Sequence, residues 1–209
     1  MDVRLSAEQV ALRDAAAQAI GRLGPGTVAA LDDLARAARL DGAVVESGWR
    51  ELRAPDDDGR PWASAVEVAL VAEELGRGAA DTAFLGPVLA SELRRLAGAG
   101  DSGGNETVAL RPDLGDLAEE GAGAVALDAF GQASALVLTP TGELATVPVT
   151  GRGAGTDLTR PTSPLETAAA TPVAGARPLD VSDRERWTAL ALAVTAADLL
   201  GTMRGAVEL

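Results

Sequence analysis

The stretch Ser64-Ala65-Val66-Glu67-Val68-Ala69-Leu70-Val71-Ala72-Glu73-Glu74-Leu75-Gly76-Arg77-Gly78 decides how this chain is read. Ser64 followed by Glu67 is capping-box spacing, the serine accepting from a first-turn N–H and the glutamate reaching back. Val66, Val68, Ala69, Leu70, Val71, Ala72 and Leu75 then make the helix apolar on nearly every side, and such a helix belongs in the buried centre of a bundle. Gly76-Arg77-Gly78 ends it. Glu73 and Glu74 form either a buried acid pair or partners for a cation, and Arg77 at i+3 or i+4 favours the second reading.

Toward the N-terminus, Ser6 and Gln9 form another capping box, with Leu5 and Val10 placed as its hydrophobic staple. Leu12, Ala16, Ala19, Ile20 and Leu23 follow at helical spacing until Gly24-Pro25. A second helix is expected to carry Val28, Leu31, Leu34, Ala35 and Ala38, and a third, from about Gly42, puts Val45, Trp49 and Leu52 on one face. Ala54 to Trp62 is turn chemistry. Its three consecutive carboxylates lack the regular ligand spacing of a calcium loop, so a solvated loop is the expectation. After Gly86-Pro87, Leu89, Leu93 and Leu96 continue the helical stripe. Trp49, Trp62 and Trp187 are each read as packing anchors.

Ala97 to Asn105, glycine-rich in its middle, reads as a linker, and beyond it the period changes. Strand-like runs occur at Thr107–Leu110, Ala122–Leu127, Ala135–Leu138 and Glu143–Val149, with Thr139-Pro140-Thr141-Gly142 as a hairpin turn. Gly151 to Pro164 is loop-like, and a weak strand is placed near Leu165–Ala169. Ser182 and Glu185 have capping-box spacing for a closing helix with Trp187, Leu190, Ala191, Val194 and Ala197 on one face, running to Leu209. The expected class is therefore α+β. An N-terminal helical bundle (1–100) precedes a small antiparallel β domain (101–180), and one C-terminal helix (181–209) opens an incomplete helical domain.

Composition narrows the chemistry. The chain has no His, Cys, Lys or Tyr, and all 18 basic side chains are Arg. This excludes a Ser-His-Asp triad, a thiolate nucleophile, a Schiff-base lysine and a His-containing metal site. No catalytic residue and no metal ligand is assigned. A net charge of −13 and a pI near 4.4 argue against nucleic acid and anionic membranes as partners. The polar start Met1-Asp2-Val3-Arg4, the absence of a long apolar run and the lack of cysteine set the expectation of a cytoplasmic protein. Gly151-Arg152-Gly153-Ala154-Gly155 invites a phosphate-loop reading but lacks the Gly-Lys-Ser/Thr ending and a following helix.

Several segments, in order, resemble the acyl-CoA dehydrogenase family. They are Leu5 to Asp14, Gly48-Trp49-Arg50-Glu51-Leu52, Val66 to Arg77, Phe84 to Ala90, Asp157-Leu158-Thr159-Arg160-Pro161, and the last helix through Leu199 to Leu209. The resemblance implies a helical domain, a β domain and the first helix of a C-terminal bundle. It also implies FAD between the last two, an acyl-CoA substrate, and a glutamate that removes the α proton while the β hydride passes to the flavin. That glutamate sits in the bundle that this chain does not reach, and the flavin would supply the difficult step. The family's flavin-side loop is matched only by Leu110-Arg111-Pro112-Asp113-Leu114-Gly115-Asp116, where Leu110 and Arg111 replace a threonine and a glutamate. Pro112, Gly115 and Asp116 are thus the implied cofactor-side residues. The expectation is a dehydrogenase-like flavoprotein subunit, or truncated homologue, acting only with a dehydrogenase-like partner subunit, with itself or with a missing domain. The alternative is a noncatalytic scaffold subunit that does not bind FAD.

Overall fold

The computed structural model describes residues 4–100, 102–151 and 157–208. Helix α1 (Ala7–Leu23) opens on the expected capping box, with the Gln9 N–H donating to Ser6 Oγ at 3.2 Å and the Ser6 N–H to Gln9 Oε1 at 3.0 Å. The second and third helices divide differently from the expectation. Val28–Asp32 is a separate 3-10 turn, and Asp33 starts α2 (Leu34–Glu46) by accepting from the Arg36 N–H at 2.9 Å. That cap separates Val28 and Leu31 from Leu34. Gly42 lies inside α2. The helix ends before Gly48, whose φ of 66° is the left-handed conformation that glycine allows, and Trp49 falls in a 3-10 turn, Trp49–Glu51.

Helix α3 (Ala65–Arg77) lies against both α1 and the last helix, burying Val68, Val71, Ala72 and Leu75. Only half of its expected capping box forms. Ser64 accepts from the Val66 N–H at 3.1 Å, but Glu67 binds the Ser64 hydroxyl and the Gln9 amide (2.7 Å), joining the first turns of α3 and α1. Burial alone would raise the Glu67 pKa, and these bonds outweigh it, so the group is held below its ordinary value.

Helix α4 (Leu85–Leu96) is capped from a distance. Phe84, at its N-cap, offers no side-chain acceptor. Asp128 Oδ2 instead receives the N–H groups of Phe84 (2.9 Å) and Leu85 (2.8 Å), a carboxylate on a helix N-terminus. Asp128 is 1% exposed and sits at φ 53° to reach them. A Cβ on Gly86 would overlap Thr107 Oγ1 and the Leu127 carbonyl, so glycine lets α4 seat directly on the sheet.

Six strands form that sheet: β1 (Glu106–Leu110), β2 (Ala124–Ala126), β3 (Ser134–Leu138), β4 (Leu144–Pro148), β5 (Ser163–Leu165) and β6 (Thr171–Pro172), in the order β5-β2-β1-β3-β4-β6. The expected antiparallel sheet carries one parallel pairing, β1 with β3 in the register Thr107 to Ala135. The cause is the short connection 127–133, which passes across the start of β1 and brings the chain up on its other side. Strand β5 comes slightly earlier than the expected weak strand, and β6 is additional. The β3–β4 hairpin turns on Gly142, φ 80°. Val108, Leu110, Leu136, Leu138 and Leu144 face the helices and join their core. Ala109, Ala126, Ala135, Val137, Ala145 and Val147 build a second, smaller cluster on the other face.

Helix α5 (Val181–Glu208) returns to the helical layer, where Trp187 buries its ring and donates Nε1–H to the Leu89 carbonyl at 3.1 Å. Trp49 is buried too. Trp62 is not the expected anchor: it is 77% exposed, carried out on the loop closed by the Pro55–Pro61 bridge. In that loop Asp56 accepts from the N–H groups of Asp58 and Arg60, so its acidic run is ordered by its own backbone. Farther along α5, Gly201 and Gly205 bring its backbone onto α3; a Cβ on either would overlap a carbonyl oxygen, of Glu73 and Arg77 respectively. Ion pairs Arg204–Glu73 and Arg77–Glu208 flank this crossing, and Arg77 also pairs with Glu74 at 3.3 Å, as its spacing suggested. By length and composition alone α5 could cross a bilayer. Here it carries Asp198 in an ion pair with Arg160 and closes glycine to backbone on α3.

Arg160 links three parts of the molecule. Asp157 shapes its turn by accepting from the Thr159 N–H at 2.8 Å, and the guanidinium reaches Asp128 at 3.4 Å and Asp198 on α5. Burial works against the Arg160 charge, and Asp128 and Asp198 outweigh it, so its pKa is raised. Burial likewise raises the Asp198 pKa, with Arg160 opposing.

Two outcomes test these contacts. Gly201→Ala should cost about 2 kcal/mol by overpacking against backbone, whereas Gly42→Ala, with open space around it, should stabilise α2 by about 0.5–1 kcal/mol; urea unfolding of each distinguishes them. Arg160→Leu leaves the buried Asp128 and the half-buried Asp198 without their cation and should cost about 3 kcal/mol at neutral pH. Without Arg160 nothing offsets the burial that already raises the Asp198 pKa, so protonation of Asp198 favours the folded state as pH falls. The deficit should therefore shrink through the carboxylate range, measured by unfolding against pH.

Candidate ligand groove between the first sheet loop and the last helix

The three cofactor-side residues implied by the sequence lie on the loop after β1, and the structure exposes Pro112, Gly115 and Asp116 together there. Leu110, the position before Arg111, is buried as the end of β1. Arg111 folds back to Asp113, and the Gly115 N–H donates to Asp113 Oδ1 at 3.0 Å. The turn is held by its own side chains, with Leu114 at φ 58°.

Asp116 alone of the three reaches a cavity. With Leu179, Asp180 and the first turns of α5, from Val181 to Leu192, it lines an open groove of about 740 Å³. The groove's helix side is built by capping. The Asp183 N–H donates to Asp180 Oδ1 at 2.8 Å and the Asp180 N–H to Asp183 Oδ2 at 3.2 Å. This reciprocal pair, rather than Ser182 with Glu185, starts the helix, because α5 already begins at Val181, ahead of the serine. Arg177 donates to the same Asp183 oxygen at 2.7 Å. That bond, assisted by the Asp180 N–H against the effect of burial, holds the Asp183 pKa below its ordinary value. The β3–β4 turn abuts here, since the Leu179 N–H donates to the Gly142 carbonyl at 2.9 Å.

Sequence reasoning placed Asp116 but missed Arg184, Thr188 and Leu192 as its groove partners. The Asp180-x-x-Asp183 spacing was the available signal for where α5 begins. Gly151-Arg152-Gly153-Ala154-Gly155 lies, beyond Gly151, outside the described residues.

Chemically the groove has an apolar side, from Leu179, Val181, Ala189 and Leu192, and an acidic one. Among the described residues, Asp116, Asp180 and Glu185 stand against a single lining cation, Arg184. Loop N–H groups that could receive an anion are spent internally: Leu114 donates to the Arg111 carbonyl, Gly115 to Asp113, and Leu117 to Asp116 Oδ1. A flavin dinucleotide carries a pyrophosphate that needs such donors or cations. The groove residues of this chain do not fit that group by themselves.

No protein-family profile matches the sequence, and no curated protein matches it significantly. Solved structures do match. The ChsE4-ChsE5 complex from Mycobacterium tuberculosis superimposes with a TM-score of 0.72 at 20% identity, over 96% of this chain and 65% of that one. A variant of the Tcur3481-Tcur3483 steroid ACAD gives 0.69 at 21% identity, over 96% and 64%. The glutaryl-CoA dehydrogenase of Mycobacterium smegmatis in complex with FADH2 gives 0.67 at 15% identity, over 98% and 64%. The chain has the fold of the acyl-CoA dehydrogenases. It spans just under two thirds of the length of these three.

Asp183→Ala should remove one half of the α5 cap and cost about 1 kcal/mol near neutral pH. Because the folded Asp183 pKa is lowered, its contribution is present above the ordinary carboxylate range and disappears as pH falls through the folded value. Thermal melts of both proteins should therefore converge in acid.

Proposed function

We propose that this chain is one part of an acyl-CoA dehydrogenase-type flavoprotein assembly, taking part in α,β-dehydrogenation of an acyl-CoA thioester only with a partner subunit or a further C-terminal domain. On this reading residues 1–100, 101–180 and 181–209 are the helical domain, the β domain and the first helix of a larger bundle. One observation carries the reading. In this fold the loop bearing Pro112, Gly115 and Asp116 faces the start of α5 across a groove that is half built, apolar enough for an acyl chain but short of donors for a flavin. The missing groups have somewhere to come from. Leu192, Leu199, Leu200, Met203 and Val207 are exposed along α5, an apolar stripe that neighbouring helices would cover. Two of the matched structures are of paired proteins, ChsE4-ChsE5 and Tcur3481-Tcur3483, which supports a second dehydrogenase-like subunit as that neighbour. On this reading the base and the remaining flavin contacts come from the partner subunit or the further domain.

A second reading is supported by the loop itself. Arg111 is turned onto Asp113 and the charged groups lining the groove are mostly acidic, as suits a noncatalytic subunit that keeps the fold for contacts and holds no FAD. Co-purification with a flavin-bearing dehydrogenase-like subunit separates the two. The expected result is a colourless chain alone and a yellow complex whose flavin absorbance bleaches on anaerobic addition of an acyl-CoA. Leu199→Asp with Met203→Asp should weaken the complex about tenfold or more. A complex that forms yet never bleaches with any acyl-CoA selects the scaffold reading, and a chain that is yellow on its own overturns the partner requirement.

A further inference from the structure

A second cavity, sharing no lining residue with the groove, lies where the helical layer meets the sheet loops. It encloses about 600 Å³ between the 3-10 turn and first residues of α2 on one side and the loops 129–132, 149–151 and 158–161 on the other. That volume is in the range of sites that hold drug-sized molecules, which run from about 300 to 1,000 Å³. Leu31, Leu34, Phe130, Val149 and Leu158 make its walls apolar. Leu34 and Leu158 are 62% and 67% exposed, so apolar surface continues out to the rim.

The polar groups decide what such a cavity accepts. Asp81 lines it, but its carboxylate is gripped by Arg36, whose Nη1 donates to Asp81 Oδ1 at 2.9 Å and to the Leu23 carbonyl at 2.8 Å while Nε donates to the Ala30 carbonyl. The Thr159 hydroxyl donates to Asp157. Gln132 is different. It is 6% exposed, its Nε2–H donates to the Phe130 carbonyl at 3.3 Å, and its Oε1 is buried with no donor facing it. That bond sets the orientation of the amide, because the flipped form would point oxygen at oxygen. A buried acceptor left unpaired costs about 1–3 kcal/mol, which a ligand donor would recover.

We infer that this cavity is a binding site for an uncharged, largely apolar molecule that donates one hydrogen bond, from a hydroxyl or an amide N–H, to Gln132 Oε1. Anions gain nothing there, since no arginine is among the described lining residues and the nearby Arg36 charge is already spent on Asp81. Molecules without a donor fill the walls but leave Gln132 unpaired. The site stands independently of the dehydrogenase reading.

Titration of the whole chain with three matched probes tests this, using ligand-observed NMR and calorimetry: 4-phenylphenol, its methyl ether and 4-phenylbenzoate. The phenol should bind, the ether about tenfold more weakly, and the carboxylate not measurably. Gln132→Met, matched in size, should bring phenol and ether to equal affinity, with the circular dichroism spectrum confirming the fold. Leu34→Trp, at the exposed rim, should weaken both by obstructing entry. Absence of phenol binding, or a phenol preference that survives Gln132→Met, overturns the proposal.

Discussion

The arrangement depends on one half-buried cation, Arg160. Arg160 stands on a loop of the sheet, yet the charges that hold it come from elsewhere: Asp128 from the crossover between β2 and β3, and Asp198 from the middle of α5. Each carboxylate is costly to bury alone, and Asp198 is the one whose pKa shows that burial dominates. Together with Arg160 they form a three-member network in which every member needs the others, and the three members belong to three stretches of chain far apart in sequence. Sheet, helical layer and closing helix are thereby held in one relative position, and the groove at the start of α5 inherits it.

A second constraint is steric. Gly201 and Gly205 on α5 and Gly76 on α3 remove side chains where the two helices cross, so backbone meets backbone and the Glu73–Arg204 and Arg77–Glu208 pairs close over the contact. Close approach fixes which face of α5 turns inward. Trp187, Leu190 and Val194 follow Gly201 toward the core, and the opposite stripe from Leu192 to Val207 is left outside.

Much of this was legible beforehand. The α1 cap, the burial of α3, the hairpin at Gly142 and four strands follow from local patterns, because capping, amphipathicity and turn chemistry act over a few residues. The division at Asp33 and the continuation of α2 through Gly42 were misplaced, since a helix interior tolerates a glycine and a side-chain cap outranks apolar spacing there. The parallel β1–β3 pairing was invisible, because period-two alternation says which face is buried and nothing about which neighbour is paired. Trp62 shows the limit of reading an aromatic residue as an anchor: its loop closes through Pro55 and Pro61 without needing the ring inside. Of the groove lining, only Asp116 was named beforehand as a cofactor-side residue, implied by the family resemblance. Its α5 partners depended on where α5 begins, which the serine-glutamate spacing put at Ser182 rather than Asp180.

Asp128 carries a consequence for how the chain folds. Helix α4 has no acceptor of its own at its N-terminus and obtains one from a residue 44 positions later. A nascent chain that has made only its helices therefore holds α4 with open amide groups, and closes them when the β2–β3 crossover arrives. Closure of a long loop must precede that gain, which places the contact late and makes formation of the sheet and completion of the helical layer a single cooperative event.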